Sequence, residues 1–118
     1  MQVVIPIFFS QAFIEGQPQK LEAFKEQFRS LNPEGVYRAT LVVTRRRDIC
    51  EEIKSIRAPT LIIVGEQDLA EPVSEAETIQ RQIAGSRLEK IADAGHITCL
   101  EEPEKVTALI EEFLSQVK

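Results

Sequence analysis

Residues 59–97 read PTLIIVGEQDLAEPVSEAETIQRQIAGSRLEKIADAGHI, and this stretch decides the fold. Residues 60–64 form a mostly apolar run that ends at Gly65. Continuous rather than alternating hydrophobicity is typical of a strand covered on both faces, as in parallel sheets. Residues 87–92 indicate a second, weaker strand, whose mixed polarity suits a sheet edge. With a helix between them, the two strands form a βαβ unit and should run parallel.

Helical patterns surround and connect the two strands. Between the strands, Ser74 and Glu77 make a capping box, and Gly85 provides a helix stop. Earlier in the chain, residues 17–30 predict one helix, and Asn32 followed by proline predicts the start of another that runs to about residue 44. The spacing of three residues in that second helix predicts that they form its buried face: Val36, Ala39 and Val43.

The last helix carries the clearest amphipathic pattern in the chain. It starts at Pro103, and its apolar stripe runs from Val106 to Val117.

Two parallel strands do not make a stable sheet, and residues 1–58 contain no clear pattern of a third strand. On physical grounds alone, the sequence predicts a piece of a larger α/β sheet.

Composition excludes several classes of protein. The net charge of -5, with acidic and basic residues interspersed, argues against a nucleic-acid-binding surface. No apolar run reaches the length that spans a bilayer, and the apolar N-terminus lacks the features of a signal peptide. Cys50 and Cys99 lie far apart and show no metal-ligand spacing, so we expect reduced thiols in a cytoplasmic protein with no metal.

Two polar residues follow the two predicted strands. Asp68 lies in the turn after the first strand, and His96 lies in the turn after the second. Ligands and catalysis in open α/β sheets collect beyond the carboxyl ends of the strands, where a carboxylate can orient an imidazole. Taken singly, the aspartate could be a turn former or a helix cap, and the histidine could be structural. Together, at successive strand ends, they predict an Asp–His pair within hydrogen-bonding distance.

Two stretches of this sequence resemble the α/β-hydrolase family. PTLIIVGEQDLAEPVSEAETI (59–79) resembles the family's acid-bearing segment, in which an apolar strand, a glycine, an aspartate and a proline lead into a helix. AGHITCLEEPEKVTALIEEFL (94–114) resembles the terminal segment that begins with Gly-His and continues through Glu and Pro into the last helix. The residues RRRDI before the strand make the chain most similar to the enol-lactone hydrolase and carboxylesterase branch.

The resemblance implies a partial α/β-hydrolase fold, with residues 1–57 as a helical cap or lid segment and residues 58–118 as the C-terminal part of the core. Asp68 matches the acid of a catalytic triad, and His96 matches the general base. Glu101 matches a helix-entry position that looks structural. The family's GxSxG nucleophile motif and its oxyanion motif are absent from the sequence. We therefore expect a C-terminal fragment that lacks the nucleophile and is inactive by itself.

The expected parent activity is hydrolysis of an ester, a lactone or a related acyl bond, with no cofactor and with a small-molecule acyl substrate once an N-terminal half completes the site. C–C bond hydrolases and haloperoxidases share the motifs, so the substrate class stays open. Phe8 and Phe9 could line an acyl pocket or simply pack within the cap, and Leu69 and Ile97 are pocket candidates by adjacency. Cys99 is expected to be a structural thiol.

A second hypothesis belongs to a different class. The chain could be a noncatalytic fragment or module that self-associates or pairs with a separate N-terminal half. The open edge of the strand at residues 60–64 would then be the surface that pairs.

Overall fold

A computed structural model describes residues 3–117. The first half of the described chain is helical. Two of its helices begin at a proline, Pro18 and Pro33, and the side chain of Asn32 caps the second of these helices. Five helices occupy this half: α1 Ile5–Phe8, α2 Gln11–Gly16, α3 Pro18–Arg29, α4 Pro33–Arg45 and α5 Cys50–Ile53.

The second half contains the predicted βαβ unit and the last helix. Its elements are β1 Leu61–Gly65, α6 Val73–Gln82, β2 Arg87–Ile91, α7 Thr98–Glu101 and α8 Pro103–Gln116. The strands are parallel, with Leu61 opposite Arg87 and Gly65 opposite Ile91, which confirms the prediction. Within residues 3–117, β1 pairs with β2 alone, so its other edge has no strand beside it.

Two apolar clusters hold these elements together. The first joins the N-terminal helices through Ile5, Phe9, Phe13 and Leu21, and Ile97 packs against it from the far end of the chain. In the second, Ile91, Ala94 and Val106 connect β2 to α8. The first cluster therefore fastens the N-terminal helices to the segment that follows β2.

Two sequence expectations were wrong. The predicted buried face of α4 is not buried: Val36 is only half-buried, and Val43 is exposed. An amphipathic pattern shows that a helix has an apolar face, but a partner element must be present before that face is covered.

The predicted capping box of α6 is also absent. Pro72 is the N-cap residue, and no side chain caps the helix. Ser74 lies inside the first turn instead, because the helix begins at Val73, two residues before the start that a Ser74 cap would give. Gly85 does have the left-handed conformation expected after a helix, with φ of 77°.

Candidate active site

Asp68 is buried in the turn after β1, and its carboxylate is fully engaged. Its Oδ1 accepts hydrogen bonds from the backbone N–H groups of Ala70 and Glu71, both at 2.9 Å. The side chain therefore closes its own turn, which fixes the carboxylate and leaves Oδ2 directed toward the neighbouring loop. Only 8% of the residue is exposed.

His96 stands beside this carboxylate. Its Nδ1 lies 2.9 Å from Asp68 Oδ2, and its side chain is 37% exposed. The predicted contact between the two residues is therefore confirmed. An ionised carboxylate only accepts hydrogen bonds, so we assign the proton to Nδ1, which leaves Nε2 as an acceptor.

The loop between β2 and α7, residues 92–97, carries His96 and is called the histidine loop below; it is held from the side of β1. The backbone N–H of Gln67 donates to the carbonyl of Ala94 at 2.9 Å. Gly65 lies directly beneath the loop: a Cβ atom there would stand 2.2 Å from the carbonyl oxygen of Gly95. Only glycine allows the strand end and the loop to approach this closely, and this approach brings Asp68 and His96 together.

The same loop is held from the other side by the last residue of α1. The carbonyl of Phe8 accepts hydrogen bonds from the backbone N–H groups of His96 at 2.9 Å and Ile97 at 3.3 Å. The Phe8 ring stacks on the imidazole, with ring centroids 5.4 Å apart. Sequence reasoning missed this backbone contact, since a carbonyl acceptor leaves no signal in the residue types.

Glu101 makes a further link between these two segments. It is a buried carboxylate that accepts from the backbone N–H of Gly95 through Oε1 and from that of Ser10 through Oε2, each at 2.9 Å. The sequence motif predicted that Glu101 lies near the histidine, but it did not predict the contact with Ser10, which is 91 positions away.

A half-open cavity of about 670 Å³ lies along β1, between α5 and α6. Apolar side chains from all three elements line it, including Ile53, Ile62 and Ile79, and Asp68 and His96 also border it. Its volume and its mainly apolar lining fit a small-molecule site. It also borders β1, whose second edge has no strand beside it within residues 3–117.

The four candidate substrate-contact residues do not line this cavity. Phe9 is 2% exposed and belongs to the first apolar cluster, so it packs within the N-terminal helices and does not line an acyl pocket. Leu69 is 68% exposed on the surface, and Ile97 packs against the N-terminal cluster. Phe8 is the one that touches the imidazole.

Within the described part of the chain, no group of three or more histidine, cysteine, aspartate or glutamate side chains is arranged to hold a metal ion. Over the same residues, no helix combines the length and the apolar character needed to cross a bilayer. Cys50 and Cys99 are both free thiols.

The Asp–His pair at the ends of two parallel strands, followed by a terminal helix, defines the C-terminal part of an α/β-hydrolase. A thermophilic esterase from Thermogutta terrifontis superposes with a TM-score of 0.93 and 34% identity, over 98% of this chain and 43% of the esterase chain. The enol-lactonase from Burkholderia xenovorans LB400 superposes with a TM-score of 0.88 and 28% identity, over 97% of this chain and 43% of that one. The resemblance to the esterase and enol-lactonase branch is thereby confirmed.

The model of the Ndr family matches residues 1–117, and the chain belongs to that family. Among curated relatives, the AB hydrolase superfamily protein YisY of Bacillus subtilis is 36% identical over 61% of this chain and 27% of its own length. The monoacylglycerol lipase ABHD6 of Mus musculus is 36% identical over 61% of this chain and 21% of its own length. The chain thus spans about a quarter of these curated relatives.

Proposed function

We propose that this chain supplies the acid and the general base of a serine-type site that hydrolyses ester, lactone or related acyl bonds. The contact of 2.9 Å between His96 Nδ1 and Asp68 Oδ2 carries the proposal. In such a site, the histidine takes the proton of the serine hydroxyl and later activates water, while the aspartate holds the correct tautomer and stabilises the imidazolium.

The geometry of the pair suits these roles. Because Asp68 Oδ1 is occupied by two backbone N–H groups, the carboxylate has one orientation in which to hold the imidazole. Nε2 of His96 is then the atom that would receive the serine proton. The exposed third of the His96 side chain leaves room for such an approach.

The nucleophile in this proposal comes from residues other than these 118, since none of the five glycines belongs to a GxSxG motif. The second edge of β1, which has no strand beside it within residues 3–117, is where the nucleophile-bearing part would pack. The proposed division of the chain is a cap segment at residues 1–57 and part of the core at residues 58–118. Packing of Ile97 against the N-terminal cluster shows contact across this boundary.

The substrate class is proposed from the neighbours. Two of the solved structures that this chain resembles are called an esterase and an enol-lactonase. A third solved structure, 30% identical over 57% of this chain, is called a meta-cleavage product hydrolase, so proteins similar to this chain are named for more than one kind of substrate. An acyl ester or lactone is the substrate class we favour.

A chimera tests the proposal. The part of the Thermogutta terrifontis esterase that superposes on this chain, 43% of the esterase, would be replaced by this chain, and turnover of an activated ester would be measured. We expect hydrolysis that falls to background, by about 10⁶-fold, in His96→Ala. Asp68→Asn should lower kcat by about 10⁴-fold.

Cys99→Ala is the matched control, because this exposed thiol lies three residues from His96 and has no role in the proposed mechanism. The control chimera should keep the activity of the parent chimera. A chimera that folds without turnover, or one whose turnover survives His96→Ala, contradicts the proposal.

Two observations favour a second, noncatalytic function. β1 has no strand on its second edge within residues 3–117, and the exposed apolar residues of α4 include Tyr37, Val42 and Val43. Unpaired strand edges and exposed apolar faces favour association. On this alternative, the chain binds a separate N-terminal half or a second copy of itself without contributing to catalysis.

A further inference from the structure

The Glu101 carboxylate joins two segments that are remote in sequence. Its two oxygens are divided between them: one accepts from Gly95 N–H in the histidine loop, and the other accepts from Ser10 N–H in the turn between α1 and α2. Ser10 is 1% exposed and Glu101 9% exposed, so water does not compete strongly for these bonds. Charge-assisted hydrogen bonds are stronger than neutral ones, and a buried unpaired donor is costly.

The two segments are those that fix the imidazole of His96. Gly95 immediately precedes the histidine. Phe8, the last residue of α1, lies two residues before Ser10; its carbonyl accepts from His96 N–H and its ring stacks on the imidazole. The approach is tight, because a Cβ on Gly95 would stand 2.8 Å from the Ser10 nitrogen. A change in the Glu101 contacts would therefore move both the loop that carries His96 and the segment that carries Phe8 and Ser10.

We propose that Glu101 is a positioning residue that clamps the turn between α1 and α2 onto the histidine loop and thereby holds the His96 imidazole against Asp68. The clamp itself concerns this chain alone, while its effect on turnover rests on the proposed function. Glu101 does not touch the imidazole and acts only through the backbone of its neighbours.

The test uses Glu101→Gln, which keeps the shape of the side chain but turns one acceptor into an N–H donor. One of the two backbone N–H groups then faces a donor. The matched control is Glu104→Gln, which makes the same change of charge at an exposed site in the first turn of α8.

The readout is the imidazole spectrum, because His96 is the single histidine in the sequence. In the native chain, nitrogen NMR at alkaline pH should show one tautomer with the proton on Nδ1. Glu101→Gln should give a tautomer mixture while the helices remain folded, and Glu104→Gln should match the native spectrum. A folded Glu101→Gln variant with an unchanged imidazole spectrum overturns the proposal, even if the variant is less stable.

A second measurement tests the proposal even if Glu101→Gln does not fold, because it uses the native chain. Amide hydrogen exchange in the native chain should show slow exchange at both Ser10 and Gly95, and fast exchange at either one overturns the clamp. In a folded variant, exchange at one or both of these amides should be about tenfold faster or more.

The esterase chimera separates this proposal from the proposed function. Glu101→Gln in the chimera should lower kcat by up to about a hundredfold at similar KM, as expected for a misplaced general base. If His96→Ala does not affect turnover, the proposed function fails, while the NMR and exchange results still decide the clamp.

Discussion

Gly65→Ala should be among the most damaging single-atom additions to this chain. The new Cβ would lie 2.2 Å from the carbonyl oxygen of Gly95 and 2.3 Å from that of Ala94, where ordinary contacts are 3.4–4 Å. The two backbones would have to separate by more than 1 Å. The obstacle cannot rotate away, because the loop is fixed by Gln67 N–H on Ala94 and by the Phe8 carbonyl on His96.

The expected cost follows from this geometry. Overpacking typically costs about 1–3 kcal/mol, and an obstacle made of fixed backbone belongs at the upper end. Replacing glycine by alanine also restricts the unfolded chain, which offsets about 0.4–1 kcal/mol. The net loss in the free energy of unfolding should therefore be about 2–2.6 kcal/mol. With a urea slope of about 1.5 kcal/mol per M, the midpoint should fall by about 1–2 M.

Urea unfolding followed by circular dichroism measures this shift, and Gly35→Ala is the matched control. A Cβ on Gly35 meets only the Asn32 Cβ at 3.8 Å, and Gly35 lies in helix α4. The control should be unchanged or more stable by up to about 1 kcal/mol, since alanine is the better helix former. If both variants shift the midpoint equally, the tight approach at Gly65 does not exist in solution and the reasoning fails.

Three further outcomes are expected. The isolated chain should show no esterase activity above background, because it contains no GxSxG nucleophile; turnover of an activated ester that disappears in His96→Ala would reveal a missed nucleophile. Light scattering after size-exclusion chromatography should show self-association that grows with concentration, because of the open edge of β1; a monomer at all concentrations would count against this. Glu112→Gln should lower the melting temperature at neutral pH, since the hydrogen bond and charge of Arg87 hold the pKa of Glu112 below its usual range. That carboxylate stabilises the fold above the pKa of the unfolded chain, about 4.3 for glutamate, and ceases to do so as pH falls through the lower folded pKa. The difference should therefore start to shrink below about pH 4.3 and go on closing in stronger acid; a gap that stays constant into stronger acid would contradict the role of the ion pair.

The sequence predicted the βαβ unit because its signals are local. An apolar run between Pro59 and Gly65, a helix of suitable length and a second short strand leave few arrangements, and parallel crossovers have one usual hand. The contact between Asp68 and His96 followed from that topology, since both residues come shortly after a strand end. The same local patterns failed where a partner element was required, as on the α4 face at Val43.

By itself, the sequence determined the order of the elements, the parallel strands and the two residues that meet at their ends. Only the tertiary structure decided how the imidazole is held. The Phe8 carbonyl, the Glu101 carboxylate and the close approach at Gly65 join segments that lie up to 91 positions apart. Such contacts depend on backbone atoms, which every residue carries, and so residue types alone do not reveal them.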